Sequence, residues 1–302
     1  MKNVLLTGAS GFVGSKLKIE LLRKKFGVIG IDIIKDKFKS KNYDFKLINL
    51  DNANLLKILH NKKIDYIVHL SAISTDKLFN LNPKRSFSSN INSTLNLLDF
   101  ASQKKIKNFI FASSEWVYGN NNGKKQLKEV FHINRKKVTS GYGISKLIGE
   151  DLIINFFNNK KIINFIILRF GIVFGPRNKP SSAVEGLMKE VNENINIEIS
   201  GSENSSRKFI YISDLVDGIL RCIKSKTSGI FNLSNDKLYS LKNIVTISNN
   251  ILKKNKKIII IKKNTPVIRN IINSKFKKKF FWKPKYNLKK ALIDLKKKVN
   301  YV

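Results

Sequence analysis

The sequence predicts an α/β protein: a doubly wound parallel sheet followed by a smaller C-terminal lobe. Three observations carry this. Apolar, strand-like runs alternate with helical patterns over the first two-thirds of the chain. A glycine-rich segment joins the first strand-like run to the first helical one. Beyond about Gly171 the rhythm changes, and loops rich in Gly, Ser, Asn and Pro at 175–182 and 200–206 separate shorter elements.

The predicted strands are residues 4–7, 28–32, 45–50, 66–70, 109–113 and 163–168, and the clearest helices are 11–25, 83–104 and 142–158. Residues 1–170, with 209–233 returning, are expected to form the sheet domain. Residues 171–208 and 234–302 are expected to form the lobe. No internal repeat and no flexible interdomain linker interrupts this plan.

Bulk properties narrow the function classes. The 302 residues are 42% hydrophobic and 26% charged, ordinary for a globular protein. The longest apolar stretch, around 162–175, is broken by Asn164 and Arg169 and is too short to span a bilayer. Met1 runs straight into a strand-like segment, so no leader is expected, and a single cysteine, Cys222, excludes an internal disulfide or a cysteine-based zinc site. A cytoplasmic setting follows as an expectation, with no membrane insertion and no metal. The formal charge of +37 raises nucleic acid as a partner. Only eight of the 58 basic residues are Arg, however, and the Lys excess runs along the chain with abundant Asn and Ile. That pattern fits an A- and T-rich genome better than base readout, which favours bidentate Arg.

The segment Thr7-Gly8-Ala9-Ser10-Gly11-Phe12-Val13-Gly14 closes the first strand and opens the first helix. Gly8 permits a tight turn, Gly11 lets backbone approach a pyrophosphate, and Gly14 allows close packing behind it. The helix N-terminus, with Phe12 and Val13, then offers amide donors to phosphate. The second strand ends in Asp32, where an acid binds ribose hydroxyls and repels a 2′-phosphate. Together these features predict a Rossmann domain holding NAD in preference to NADP.

Ser140-Gly-Tyr142-Gly-Ile-Ser-Lys146 begins a helix, and four-residue spacing puts Tyr142 and Lys146 on one face. A free tyrosine titrates near pH ~10, and a neighbouring ammonium and the positive nicotinamide are both expected to lower that value toward a usable base. The run Ala112-Ser113-Ser114-Glu115-Trp116-Val117-Tyr118-Gly119 ends the fifth strand at the same sheet edge.

With these motifs in order, the chain resembles the NAD-dependent epimerase/dehydratase family of extended short-chain dehydrogenases, which act mostly on nucleotide sugars. The resemblance also takes in Asp51, His69-Leu-Ser-Ala72, Asn90 to Asn96, Leu168-Arg169, Gly175-Pro176-Arg177, Arg207, Asp214, Asn232 and Trp282-Lys283-Pro284. It implies that Asp51 contacts the adenine and that Leu70, Ser71 and Ala72 line the cofactor. It implies Tyr142 as base and Lys146 on the nicotinamide ribose. Ser114, with Ser113 as the near alternative, is implied on the reacting sugar hydroxyl. Glu115, Arg177, Arg207 and Arg269 are implied as substrate-binding residues, as is Ser114, with Arg207 and Arg269 matching arginines that grip a nucleotide diphosphate. A homodimer through helices 83–104 and 142–158 is implied as well, and Leu95, Leu98, Phe100, Leu152 and Phe156 are candidates for its surface. His69 reads as a packed residue, His60 and His132 as surface groups, and Cys222 as a small core hydrophobe.

Departures cluster in the substrate half. Ile172 stands where the family often has Asn, Lys208 replaces the Asp of an Arg-Asp-Phe motif, and Ile272 stands where an Asp commonly precedes Ser-Lys. The pair Glu115-Trp116 bears on the reaction, because family dehydratases place an Asp and a Glu there as acid and base. Trp116 cannot be a base. The reading is therefore a nucleotide-sugar epimerase working by transient oxidation to a 4-keto sugar. A 4,6-dehydratase or 4-ketoreductase is the alternative, and a non-enzymatic nucleic-acid-binding or regulatory protein a more distant one.

Overall fold

The computed structural model describes residues 1–52, 57–123, 125–193, 196–262 and 264–302. The chain divides into two compact units: 1–119, 138–169 and 216–231 form the first, and 120–137, 170–215 and 232–302 the second. Relative to the expected boundaries, 120–137 and 209–215 group with the second unit.

The first unit is built on β1 (Asn3–Thr7), β2 (Gly27–Asp32), β3 (Tyr43–Leu47), β4 (Tyr66–His69), β5 (Asn108–Ser114) and β6 (Phe165–Phe170). With β11 (Gly229–Leu233) they form a seven-stranded sheet in the order β11-β6-β5-β4-β1-β2-β3. β1 pairs in parallel with β2 and β4, as do β2 with β3 and β4 with β5. β4, β5 and β6 are buried at every residue, as strands covered on both faces must be. The edge strand β3 is only half-buried. It stops at Leu47 rather than 50, because its register sets Leu47 against Asp32, the last residue of β2. β6 starts two residues later than predicted, since pairing to β5 begins where Phe109 donates to the Asn164 carbonyl.

The helices of this unit are α1 (Phe12–Arg23), α2 (Asp76–Leu81), α3 (Pro83–Gln103) and α4 (Gly141–Asn158). Asn82 caps α3 ahead of Pro83, and Ser140 caps α4 by accepting from the Gly143 amide. Leu98 and Phe100 of α3 lie inside the core of this unit, packed with Leu5, Ile67, Phe109 and Ile153. These two residues therefore do not belong to a dimer surface. Leu95, Leu152 and Phe156 are half-buried.

The second unit contains β7 (Val173–Phe174), α5 (Ala183–Glu193), β8 (Asn196–Ser200), β9 (Ser206–Arg207) and β10 (Ile210–Tyr211). After α6 (Ile212–Ile223), whose C-terminal part lies in the first unit, come β12 (Tyr239–Ser240), α7 (Leu241–Leu252), β13 (Lys257–Lys262) and β14 (Ile268–Arg269). α8 (Ser274–Phe280) and α9 (Leu288–Lys298) follow. Small sheets β12-β9-β14, β10-β7 and β13-β8 tie these elements together. Among the described residues no helix is long and apolar enough to cross a membrane.

Candidate functional site

The sheet order reverses between β1 and β4, and such a switch point opens a crevice at the carboxyl ends of the strands. Gly8 turns there with φ +69°, and a Cβ on it would come 2.9 Å from the Ser71 amide nitrogen. A Cβ on Gly14 would fall 2.0 Å from the Gly8 carbonyl oxygen, so the turn and the first coil of α1 need both glycines. At Gly11 a Cβ would meet only the Gly8 oxygen at 3.2 Å, which leaves its face open. No side chain caps α1 and no acid sits in its first turn, so Phe12 and Val13 begin a helix that presents its positive end.

Asp32 is pre-oriented. One carboxylate oxygen accepts from the Ser10 amide at 2.9 Å and the other from the Ile34 amide at 3.1 Å. Each oxygen keeps lone pairs for a ribose hydroxyl. Asp51 is half-buried and its Oδ1 has no hydrogen-bond partner among the described residues. An open glycine cradle, an oriented acid and an orphaned acceptor are what a dinucleotide's pyrophosphate, ribose and adenine require. The residues fit NAD.

Leu70, Ser71 and Ala72 follow β4 and are half-buried. Behind them runs a hydrogen-bond chain. The Thr7 hydroxyl lies within hydrogen-bond distance of the Ser71 hydroxyl at 3.0 Å, of the Leu70 and Ser71 amides and of His69 Nδ1 at 2.8 Å, and the Ser71 hydroxyl also reaches Nδ1 at 3.3 Å. His69 Nε2 must donate to Thr94 Oγ1 at 3.1 Å, because Thr94 spends its own proton on the Asn90 carbonyl. Asn90 accepts from the Ile73 amide and donates to Ser145 of α4, whose hydroxyl donates to the Tyr142 carbonyl. Burial, with Lys146 adding to it, holds the His69 imidazole well below its ordinary range, so the ring is neutral. The exposed His60 and His132 take no part.

Ser114, Tyr142 and Lys146 are brought together in the first unit. Ser114 is buried at the end of β5, accepts from the Trp116 amide at 3.3 Å and hydrogen-bonds to the Tyr142 phenol. Ser113 is committed elsewhere: its hydroxyl donates to Glu150. The geometry therefore favours Ser114 of the two serines. Lys146 Nζ lies 4.5 Å from the Phe111 ring centre and 5.8 Å from that of Tyr142.

Burial pushes Tyr142 up to about 12, against the Ser114 hydrogen bond and with a further push from Asp76. This upward shift runs against the lowering that the sequence predicts from Lys146 and the nicotinamide together. Lys146 is itself driven down to about 7 by burial, the Glu150 carboxylate opposing. Neither group titrates as it would in water.

Glu150 and Arg169 were not anticipated as site residues. Arg169 on β6 donates to both carboxylate oxygens of Glu150, at 3.0 and 2.6 Å, and its guanidinium stacks 4.8 Å from the Tyr118 ring centre. The signals available were an acid four residues after Lys146, on the same helix face, and Arg169 itself in the Leu168-Arg169 motif. Glu115 is fully buried in the short turn after Ser114. Cys222 is buried and donates to the Gly218 carbonyl.

In the second unit, Arg207 and Arg269 stand directly opposite on the parallel strands β9 and β14. Arg269 is almost wholly buried and donates to Asn120 at 3.2 Å; Arg207 donates to the Ser206 and Val267 carbonyls. Arg177 grips Glu185, a fully buried carboxylate that also accepts from the Gly175, Ser181 and Ser182 amides. That guanidinium supports a loop. Lys208 is buried, and burial lowers its pKa with Asp236 opposing.

Comparison with known proteins agrees with this geometry. Residues 4–234 match the model of the NAD dependent epimerase/dehydratase family. The chain is 36% identical to the uncharacterized UDP-glucose epimerase YtcB of Bacillus subtilis (strain 168), over 72% of this chain and 71% of that protein. The structure of a UDP-glucuronic acid 4-epimerase from Bacillus cereus, in complex with UDP-glucuronic acid and NAD, superposes with a TM-score of 0.84 at 26% identity, over 97% of each chain. In fold the chain is also similar to a UDP-glucose 4-epimerase from Thermotoga maritima, with a TM-score of 0.88 at 24% identity over 97% of each chain. The chain thus belongs to the NAD dependent epimerase/dehydratase family, and it is an enzyme that works with NAD.

Proposed function

We propose that the protein is a nucleotide-sugar 4-epimerase. The observation that carries this reading is the buried group of Ser114, Tyr142 and Lys146, complete for reversible oxidation of a sugar hydroxyl, with Trp116 standing where elimination would need a second acid or base. NAD, when bound, supplies the hydride acceptor and a positive ring that favours the Tyr142 phenolate. Ser114 orients the sugar hydroxyl, Tyr142 takes its proton, and Lys146 contacts the ribose and stabilises the phenolate. After the 4-keto sugar presents its other face and is reduced there, Tyr142 returns the proton. Arg207 and Arg269 are the candidates for the diphosphate, a planar, bidentate task. The named activities of YtcB and of the Bacillus cereus epimerase support a UDP-sugar as the first substrate to try.

One observation favours a second reading. Glu115 is buried directly beside Ser114, where a dehydratase would keep its acid. Incubation with a panel of UDP- and dTDP-sugars, followed by product separation, decides between them. An epimerase interconverts two sugars of equal mass and tolerates Glu115→Gln; a dehydratase releases a product lighter by one water and loses turnover in that variant. A homodimer through α3 and α4 is part of the same reading, with Leu95, Leu152 and Phe156 left to form its apolar contact. A monomeric mass in solution at micromolar concentration would overturn it.

A further inference from the structure

The lysines run the length of the chain, but unevenly. Residues 253–298 hold eighteen lysines and arginines against one acid, Asp294, so these 46 residues carry +17 of the total +37. A uniform compositional drift does not produce such a concentration.

Exposed apolar groups accompany the charge. Phe281 caps α8 in the left-handed region (φ 48°, ψ 42°), its amide donating to the Lys277 carbonyl. That position suits glycine and strains a residue with a side chain. Phe281 nevertheless stays 89% exposed. Its neighbours Phe280 and Trp282 are buried and pack on Phe276, with ring centres 4.7 and 5.4 Å away, so the cap is anchored and Phe281 is held outward. Exposed Lys278, Lys279 and Lys283 flank it.

α9 continues the pattern. Leu288, Ala291, Leu292 and Leu295 face inward. Lys289, Ile293, Lys296 and Lys297 line a groove of about 550 Å³ against Asn250 and Ile251 of α7. In β13, Ile259 and Ile261 are exposed between Lys257 and Lys262.

We propose that this basic segment docks the enzyme peripherally on an anionic lipid bilayer, with Phe281 entering the headgroup boundary and the surrounding lysines facing lipid phosphates. Exposed apolar side chains beside lysines are what an interfacial surface requires. Nucleic acid fits less well. Four of the exposed apolar residues of the segment, Ile259, Ile260, Ile261 and Ile293, are isoleucines, which have no π-face for a base. The one arginine of the segment, Arg269, is buried, and lysine is a point charge suited to a mobile headgroup layer rather than to bidentate base readout.

The test is co-sedimentation of the full chain with vesicles of phosphatidylcholine alone or mixed with phosphatidylglycerol, at moderate salt. Binding is expected only to the anionic vesicles. Phe281→Gly, which relieves the strained cap and keeps the charge, should weaken it about tenfold. Should that variant not fold, Phe281→Asn, also tolerated in the left-handed region, carries the same expectation. The triple variant Lys278→Gln, Lys279→Gln and Lys283→Gln should weaken binding about fivefold for each lysine removed. The control removes the same number of exposed lysines from the first unit, Lys24→Gln, Lys63→Gln and Lys84→Gln, and should leave most binding intact. Equal losses in the two triple variants, or unchanged binding in the Phe281 variants, would reduce the effect to net charge and overturn the proposal. So would duplex DNA that binds more tightly with the same dependence on Phe281.

Discussion

Arg169 on β6 grips Glu150 on α4 through two parallel hydrogen bonds, one helical turn beyond Lys146, and both partners are nearly inaccessible to water. The pair clamps α4, which carries Tyr142 and Lys146, to the sheet, with Ser113 of β5 as a third contact. Removing one partner leaves a buried charge uncompensated. Glu150→Gln should therefore destabilise the fold by about 3–5 kcal/mol, read as a drop in the urea midpoint. Joint replacement by Glu150→Leu and Arg169→Met should restore much of that loss. Additive losses in the double variant would show that the two residues do not act as a pair.

Tyr142→Phe removes one oxygen from a buried ring and should leave NAD affinity nearly unchanged. Turnover should fall at least ~100-fold if the phenol moves the proton. Ser114→Ala should lower turnover with little effect on NAD affinity, whereas Ser113→Ala, whose hydroxyl serves Glu150, should act mainly on stability. Steady-state kinetics beside NAD calorimetry separates the three, and near-normal turnover in Tyr142→Phe would sink the mechanism.

Lys146 is held in place at the expense of stability. Its folded pKa, about 7, lies below the ordinary value of 10.5, so the unfolded chain binds more protons between those limits. Stability attributable to this group rises with pH across that window, and its burial is most costly below pH ~7. Lys146→Met should raise the melting temperature at neutral pH while abolishing most turnover and weakening NAD binding. A lowered melting temperature would contradict the assignment.

His69 has the same sign in a more acidic window. Its folded pKa is depressed below the ordinary 6.5, so the stability it contributes is complete above that value and is lost as pH falls. His69→Gln cannot take up that proton and should flatten the acid limb of the stability profile. An unchanged acid limb, measured by urea unfolding across pH, would show that other groups govern it.

The amino-acid sequence by itself determined the cofactor half. The glycine turn and Asp32 belong to one β–turn–α–β unit of about thirty residues, and the Tyr142–Lys146 spacing is set within the single helix α4, so each is a local pattern. The resemblance already pointed to Ser114, but that Ser113 is committed elsewhere needed the tertiary structure, because its partner Glu150 is 37 residues away. Leu98 and Phe100 read equally well as core or interface until the sheet beneath α3 was seen to cover them. That Arg177 pairs with the buried Glu185 could not be read from the sequence either, since it depends on how the 175–182 loop folds over α5. The Tyr142 pKa went the opposite way from the spacing argument. Sequence spacing brings two groups onto one face, but the water removed from around them depends on every segment packed above, and desolvation is the largest influence on the phenol.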